Sequence, residues 1–176
     1  MKFIKKYIKL IDGFNDKLGY YVSWLTTLLV AVVCYDVFTR YLLKESSVGL
    51  QELEWHIFSL IFLLAAAYTL RIDGHVRVDV LYVKLSEKKK GIINLLGAVF
   101  FLIPFCIIGI ISSEKFVIQS FLMGETSPDA GGLPFRWILK ALIPISFFIL
   151  LLEGISFAFK SYIAIKENSH QNNLEK

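Results

Sequence analysis

LQELEWHIFSLIFLLAAAYTL, residues 50–70, is the stretch on which the fold turns. Its unbroken apolar run, Trp55 to Leu70, is short for a segment that must cross a bilayer with about 20 mostly apolar residues. It reaches spanning length only if Leu50 to Leu53 joins the helix at headgroup depth, with Glu52 and Glu54 at its outer end. Dropping it would place two basic loops on opposite sides of the membrane, so it is retained as a span. The neighbouring runs are plainer. Leu18–Thr39 is broken only by Asp36, Ile92–Ser112 carries no charge, and Ala141–Phe159 is interrupted only by Glu153. The expectation is an all-α integral membrane protein, one domain over residues 1–176, with spans at about 18–39, 50–70, 92–112 and 137–159.

Composition agrees. Hydrophobic residues make up 56% of the chain, against about 45–50% in soluble domains, and they gather in long runs. Lys and Arg give the orientation, because they accumulate in cytoplasmic flanks. The N-terminal segment, the loop between spans two and three, and the C-terminal tail hold 14 of them; the other two loops hold 5, namely Arg40, Lys44, Lys115, Arg136 and Lys140. Both termini and the middle loop are therefore expected inside. Tyr20, Tyr21, Trp24, Tyr68 and Tyr162 then mark inner edges, and Tyr41, Trp55 and Trp137 outer ones, since their rings favour the interface while their polar atoms want water.

The N-terminal segment MKFIKKYIKLIDGFNDKLG lacks an uninterrupted apolar region before a small-residue cleavage site, so the first span is expected to be retained. Residues 1–17 alternate apolar and lysine positions at helical spacing. That pattern fits an amphipathic helix in the inner interface with its lysines on anionic lipid; the plainer reading is a cytosolic leader. In the inner loop Asp73-Gly74 signals a turn. Val76, Val78 and Val80 alternate as in a short strand, but a lone strand has no partner, and a helical turn over Val80–Leu85 is the preferred reading. Gly124 suits a helix C-cap, and Pro134 suits the first turn of span four. Pro104 and Pro144 are candidate bend points. Residues 160–176 are expected to form a polar cytoplasmic tail, not fused to a further domain.

Ionisable residues within spans are the natural functional candidates. Asp36 and Arg40 share a helix face at i,i+4 and read either as a structural pair or as a docking feature. Glu52 and His56 have the same spacing and read as a rim hydrogen bond or, less simply, a proton relay. Glu153 faces either another helix or a partner. Cys34 and Cys106 lie in apolar runs with no metal or disulfide spacing and read as packing residues. His56 is the lone histidine in a span, whereas a haem between helices would take two. No phosphate loop, HExxH or GxSxG pattern is present. An enzyme, a cofactor and a nucleic-acid partner are not expected.

A set of ordered motifs carries a family resemblance over roughly residues 20–160. They are Arg40-Tyr41 closing the first span and Glu52 opening the second. Tyr68-Thr69-Leu70-Arg71 follows, then Asp73-Gly74-His75-Val76-Arg77-Val78-Asp79. The last are Thr126-Ser127-Pro128, Gly132-Leu133-Pro134 and Trp137, with Pro144 inside span four. The chain resembles the small four-helix membrane subunit of tripartite ATP-independent periplasmic (TRAP) transporters. The resemblance implies a scaffold subunit in the bacterial inner membrane. It implies two protein partners besides lipid: a large membrane subunit holding the substrate and ion sites, and a periplasmic binding protein delivering an organic acid. Asp36, Arg40, Tyr41, Glu52, Arg71, Gly74, His75, Asp79, Glu125, Asp129 and Arg136 are the family-motif or docking candidates, with Glu125, Asp129 and Arg136 expected to be free for a soluble partner. The competing reading is a membrane-anchor subunit of a redox complex.

Overall fold

The computed structural model describes residues 2–75 and 82–174, with side chains described through residue 167. Asp79, the Val76–Val80 alternation read as a possible strand, and the first two residues of the Val80–Leu85 helical-turn reading lie outside the described residues.

Four long helical rods account for the fold, each long and apolar enough to cross a membrane. The first is α1 (Lys2–Phe38), extended by a π-helical turn, Thr39–Leu43. The second is α2 (Val48–Arg71). The third joins α3 (Glu87–Gly97) to α4 (Ile103–Leu122) through a π-helical segment, Ala98–Leu102. The fourth is α5 (Arg136–Leu174). No strand occurs among the described residues. The rods define a proximal end, where α1 and α3 begin and α2 and α5 end, and a distal end, which carries residues 44–47 and 123–135.

Local chemistry explains where the rods stop. Ser47 caps α2 by accepting from Leu50 N at 3.4 Å. The helix therefore includes Leu50–Leu53 and gains the spanning length that the Trp55–Leu70 run lacks; its 24 residues reach about 36 Å. α2 ends in a Schellman turn: Gly74 N donates to Thr69 O at 2.9 Å and Asp73 N to Leu70 O at 3.2 Å. α4 ends the same way, with Glu125 N on Ser120 O at 3.0 Å and Gly124 N on Phe121 O at 3.1 Å. Gly124 holds φ +58 there, a conformation that costs glycine little. Pro104 sits in the first turn after the π segment. The wider turn accommodates a residue that has no N–H to donate and whose ring would crowd the preceding carbonyl.

Pro134 falls outside α5, contrary to the sequence expectation. The helix begins at Arg136, and Phe135 precedes it with φ 62. Arg136 N is drawn back to Glu125 O at 3.0 Å, which turns the chain between Pro134 and the helix.

α5 is the hub: it packs on α1, α2, α3 and α4, while α1 also lies along α2. Along α1 and into its π-helical turn, the buried and half-buried positions include Ile11, Asn15, Leu18, Val22, Leu25, Leu29, Val32, Asp36 and Thr39. Steps of three and four make a single seam of the kind that keeps two helices in register. Gly19 lets α2 approach, because a Cβ there would stand 2.5 Å from the Tyr68 ring. Tyr68, read as an interface marker, is thus half-buried against α1.

Polarity is distributed inside out. The buried set includes Asn15, Asp36, Glu52, Ser113, Ser120, Ser146, Glu153, Ser156 and Ser161, while Phe38, Phe62, Phe100, Phe101, Phe105 and Ile108 are exposed. Hydrocarbon outside the protein reverses the soluble-protein rule: polar groups seek partners between helices, and large apolar side chains face out. At the proximal end the buried groups form one network. Asn15 Nδ2 donates to Glu153 Oε2 at 2.8 Å. Lys160 bridges Glu153 at 3.1 Å and Asp12 at 2.7 Å. Ser156 donates to Asp12 at 3.2 Å, and Arg71 reaches Asp12 and Asp16 at 3.3 Å each. Glu153 therefore faces α1 rather than an external partner.

Candidate functional site at the distal loops

The distal site is built around one carboxylate. Glu52 lies in the first turns of α2, only 4% exposed. Its Oε1 accepts from Ser127 Oγ at 2.6 Å and from Arg136 Nη2 at 2.8 Å, and its Oε2 accepts from the backbone N of Leu133 at 2.5 Å. Charged acceptors make the stronger hydrogen bonds. Three donors from one loop and one helix start converge here on a single anion.

The loop is tied within itself as well. Ser127 N donates to Leu133 O at 3.1 Å, Gly132 N to Asp129 O at 3.0 Å, and Asp129 N to Ser127 Oγ at 3.2 Å. A Cβ on Gly132 would collide with the Ser127 hydroxyl and Glu52 Oε2, so this position admits only glycine without displacing the knot. Arg136 also lies over the Trp55 ring, 5.7 Å from its centroid, and Lys140 lies 4.0 Å above Phe116. Lys140 pairs with Glu125. The Lys140 ammonium, followed by the Ser120 hydroxyl, holds the Glu125 carboxyl below its ordinary range.

These contacts correct the sequence expectation at two residues. Arg136 and Glu125 are not free to meet a soluble partner, because both are engaged in holding the loop. Asp129 is exposed, as are Pro128, Ala130, Gly131, Pro134 and Phe135, and together these form the outer surface of the loop. The Glu52–His56 reading changes as well. His56 Nδ1 donates to the Glu52 backbone carbonyl at 2.5 Å, while the Glu52 carboxylate turns toward Ser127.

The remaining candidates fall into two places. Asp36 and Arg40 pair at the distal end of α1, where Asp36 is buried and Arg40 half-exposed, with exposed Tyr41 beside them. Arg71, Gly74 and His75 lie at the proximal end of α2, where Arg71 clamps α1 and Gly74 completes the Schellman turn. His75 borders an apolar hollow with Leu70, Leu85, Ile93 and Phe157. Glu52 and Arg71 are 19 residues apart along one helix, about 28 Å, so the motifs mark two sites. Ser127, Lys140, Asn15, Asp12 and Lys160 complete these networks and were missing from the candidates. Two of them carried a signal: Ser127 lies in the Thr126-Ser127-Pro128 motif, and Asn15 is a polar residue on the apolar seam of α1.

No three His, Cys, Asp or Glu side chains gather into a metal-binding cluster among the described residues. What the distal geometry does is fix a loop: the carboxylate holds three donors, and the chain around it cannot easily rearrange. The fold and this site define a multi-pass helical membrane protein that displays a braced loop at one end and broad apolar flanks along its length.

Residues 29–162 match the family described as tripartite ATP-independent periplasmic transporters, DctQ component, and the chain belongs to that family. No curated protein matches it. It is accordingly the small subunit type of a TRAP transporter, a transport component and not an enzyme. The match takes in the Asp36–Arg40 pair and the Glu52 knot; it leaves out residues 1–28 and 163–176.

Proposed function

We propose that this chain is the scaffold subunit of an ion-coupled, sodium-driven TRAP transporter for an organic acid. In this reading it lies in the bacterial inner membrane with both termini cytoplasmic, as a single membrane domain whose spans are those expected from hydropathy. It braces the large transport subunit and helps receive the periplasmic substrate-binding protein. The distal end, which holds only 5 of the 19 Lys and Arg residues with its adjoining spans, then faces the periplasm.

The observation that carries the reading is the Glu52 knot. A loop held by three donors on one buried carboxylate offers a preformed surface, which lowers the ordering cost of binding a soluble protein. Asp129 and Phe135 are the exposed charge and the exposed aromatic on it. Charge at such a rim acts chiefly on encounter and orientation.

Asp129→Lys combined with Phe135→Ala tests the docking role in the assembled complex. The expected result is weaker coupling to the binding protein, read as a raised half-saturating concentration of that protein in uptake, with copurification of the large subunit unchanged. Unaltered uptake kinetics would remove the distal loop from docking.

A further inference from the structure

The proximal third of α1 carries a surface that neither the bundle nor the family match accounts for. α1 is one unbroken helix from Lys2 to Phe38. Its 37 residues extend about 55 Å, against a hydrocarbon core of about 30 Å. With residues 18–39 in the core, residues 2–17 must lie at or beyond the headgroups. One face of this segment is fastened to α5. Tyr7 donates its hydroxyl to Leu152 O at 3.0 Å and sets its ring edge-on to Phe159, while Ile11 and Asn15 are buried. The segment is therefore held in place by the fold.

The rest of the circumference has a defined layout. At about 100° per residue, Phe3, Leu10 and Phe14 fall in one narrow sector. They are 79%, 69% and 48% exposed. Lys6 and Lys17 border that sector on one side, and Lys2, Lys9 and Lys5 follow in turn around the helix. All five lysines are exposed, and none forms an ion pair among the described residues. The acids on this segment, Asp12 and Asp16, are taken up by Arg71 and Lys160. An apolar stripe flanked on a single side by unneutralised lysines is the arrangement with which an amphipathic helix meets a surface of anionic headgroups.

We infer that Phe3, Leu10 and Phe14, with Lys6, Lys9 and Lys17, form a docking surface for anionic phospholipid of the cytoplasmic leaflet. Because Tyr7, Asp12 and Asn15 lock the segment to α5, lipid held there also sets the depth and tilt of the whole bundle. The side of the membrane rests on the proposed topology; the lipid chemistry rests on the layout just described.

The test uses the full chain in its membrane complex. A photocrosslinking amino acid at Leu10 should yield phospholipid adducts enriched in anionic headgroups over the bulk membrane. Each lysine adds about fivefold to anionic-lipid affinity near a surface. Lys6, Lys9 and Lys17 changed together to Gln should therefore lower that enrichment by at least about tenfold, less salt screening. The same three changed to Arg should retain it, which separates lost charge from lost folding. An adduct to the large subunit, or equal enrichment in the Gln and Arg variants, would overturn the inference. Labelling of Lys2→Cys, in a Cys34→Ser background, by an impermeant thiol reagent from outside intact cells would instead overturn the topology and the assignment to the inner leaflet.

Discussion

At the scale of single residues, Glu52 sets the state of the distal loop. Glu52→Gln keeps the side chain's length but removes its charge and one acceptor oxygen. Amide exchange over residues 126–136 should accelerate, with the backbone N of Leu133 among the first affected; unchanged protection would contradict the knot. Arg136→Glu places a second carboxylate beside Glu52 and should loosen the same loop, so it is unsuitable as a pure docking mutation. Glu125 adds a pH signature. Its carboxyl is held below its ordinary value by Lys140, so its contribution is present above that value of 4.5 and is lost as pH falls through the lowered one. Loop protection, corrected for intrinsic exchange, should be level from pH 5 upward and decline only on stronger acidification, and Lys140→Met should reduce that decline. Glu52 and Arg136 stood out in the sequence as charges at span ends. Their partnership crosses 84 positions, and no local spacing rule reaches that far. Asp36 and Arg40 were legible as a pair because i,i+4 is a local rule.

At the scale of elements, α1 is apolar around most of its circumference, and hydropathy alone does not say which face meets α2. The seam from Ile11 to Thr39 becomes visible only with the neighbours in place, although its two inner polar members, Asn15 and Asp36, were in view. Gly19→Ala should crowd the Tyr68 ring and cost about 1–3 kcal/mol, measurable as an earlier midpoint in mixed-micelle denaturation; Tyr68→Leu in the same chain should recover part of it. Full stability in Gly19→Ala would mean that the α1–α2 contact is looser than described. Removing one partner of a buried ion pair costs about 3–5 kcal/mol. Arg40→Met should cost somewhat less, because Arg40 is 42% exposed. Asp36→Asn in the same chain should lessen that cost by removing the stranded charge. A double variant no better than the single would count against the pair. The π segment before Pro104 was not legible: the proline flagged a disturbance, but where the helix absorbs it depends on packing against α5.

At the scale of the whole molecule, span number and order were readable because a membrane imposes length and polarity on each crossing. The hub role of α5 was not, since all four spans are similarly apolar and packing partners are chosen by fine side-chain fit. The resulting bundle leaves α1 and α4 with wide outward faces, including Val30, Val33 and Phe38 on one and Phe105, Ile108 and Ile111 on the other. A scaffold needs such faces, and the large subunit is the partner proposed for part of them. Uptake into proteoliposomes, driven by a sodium gradient and fed by the loaded binding protein, tests that claim most directly. The account predicts transport when this chain and the large subunit are reconstituted together and none from this chain alone. Substrate uptake by this chain alone would contradict it.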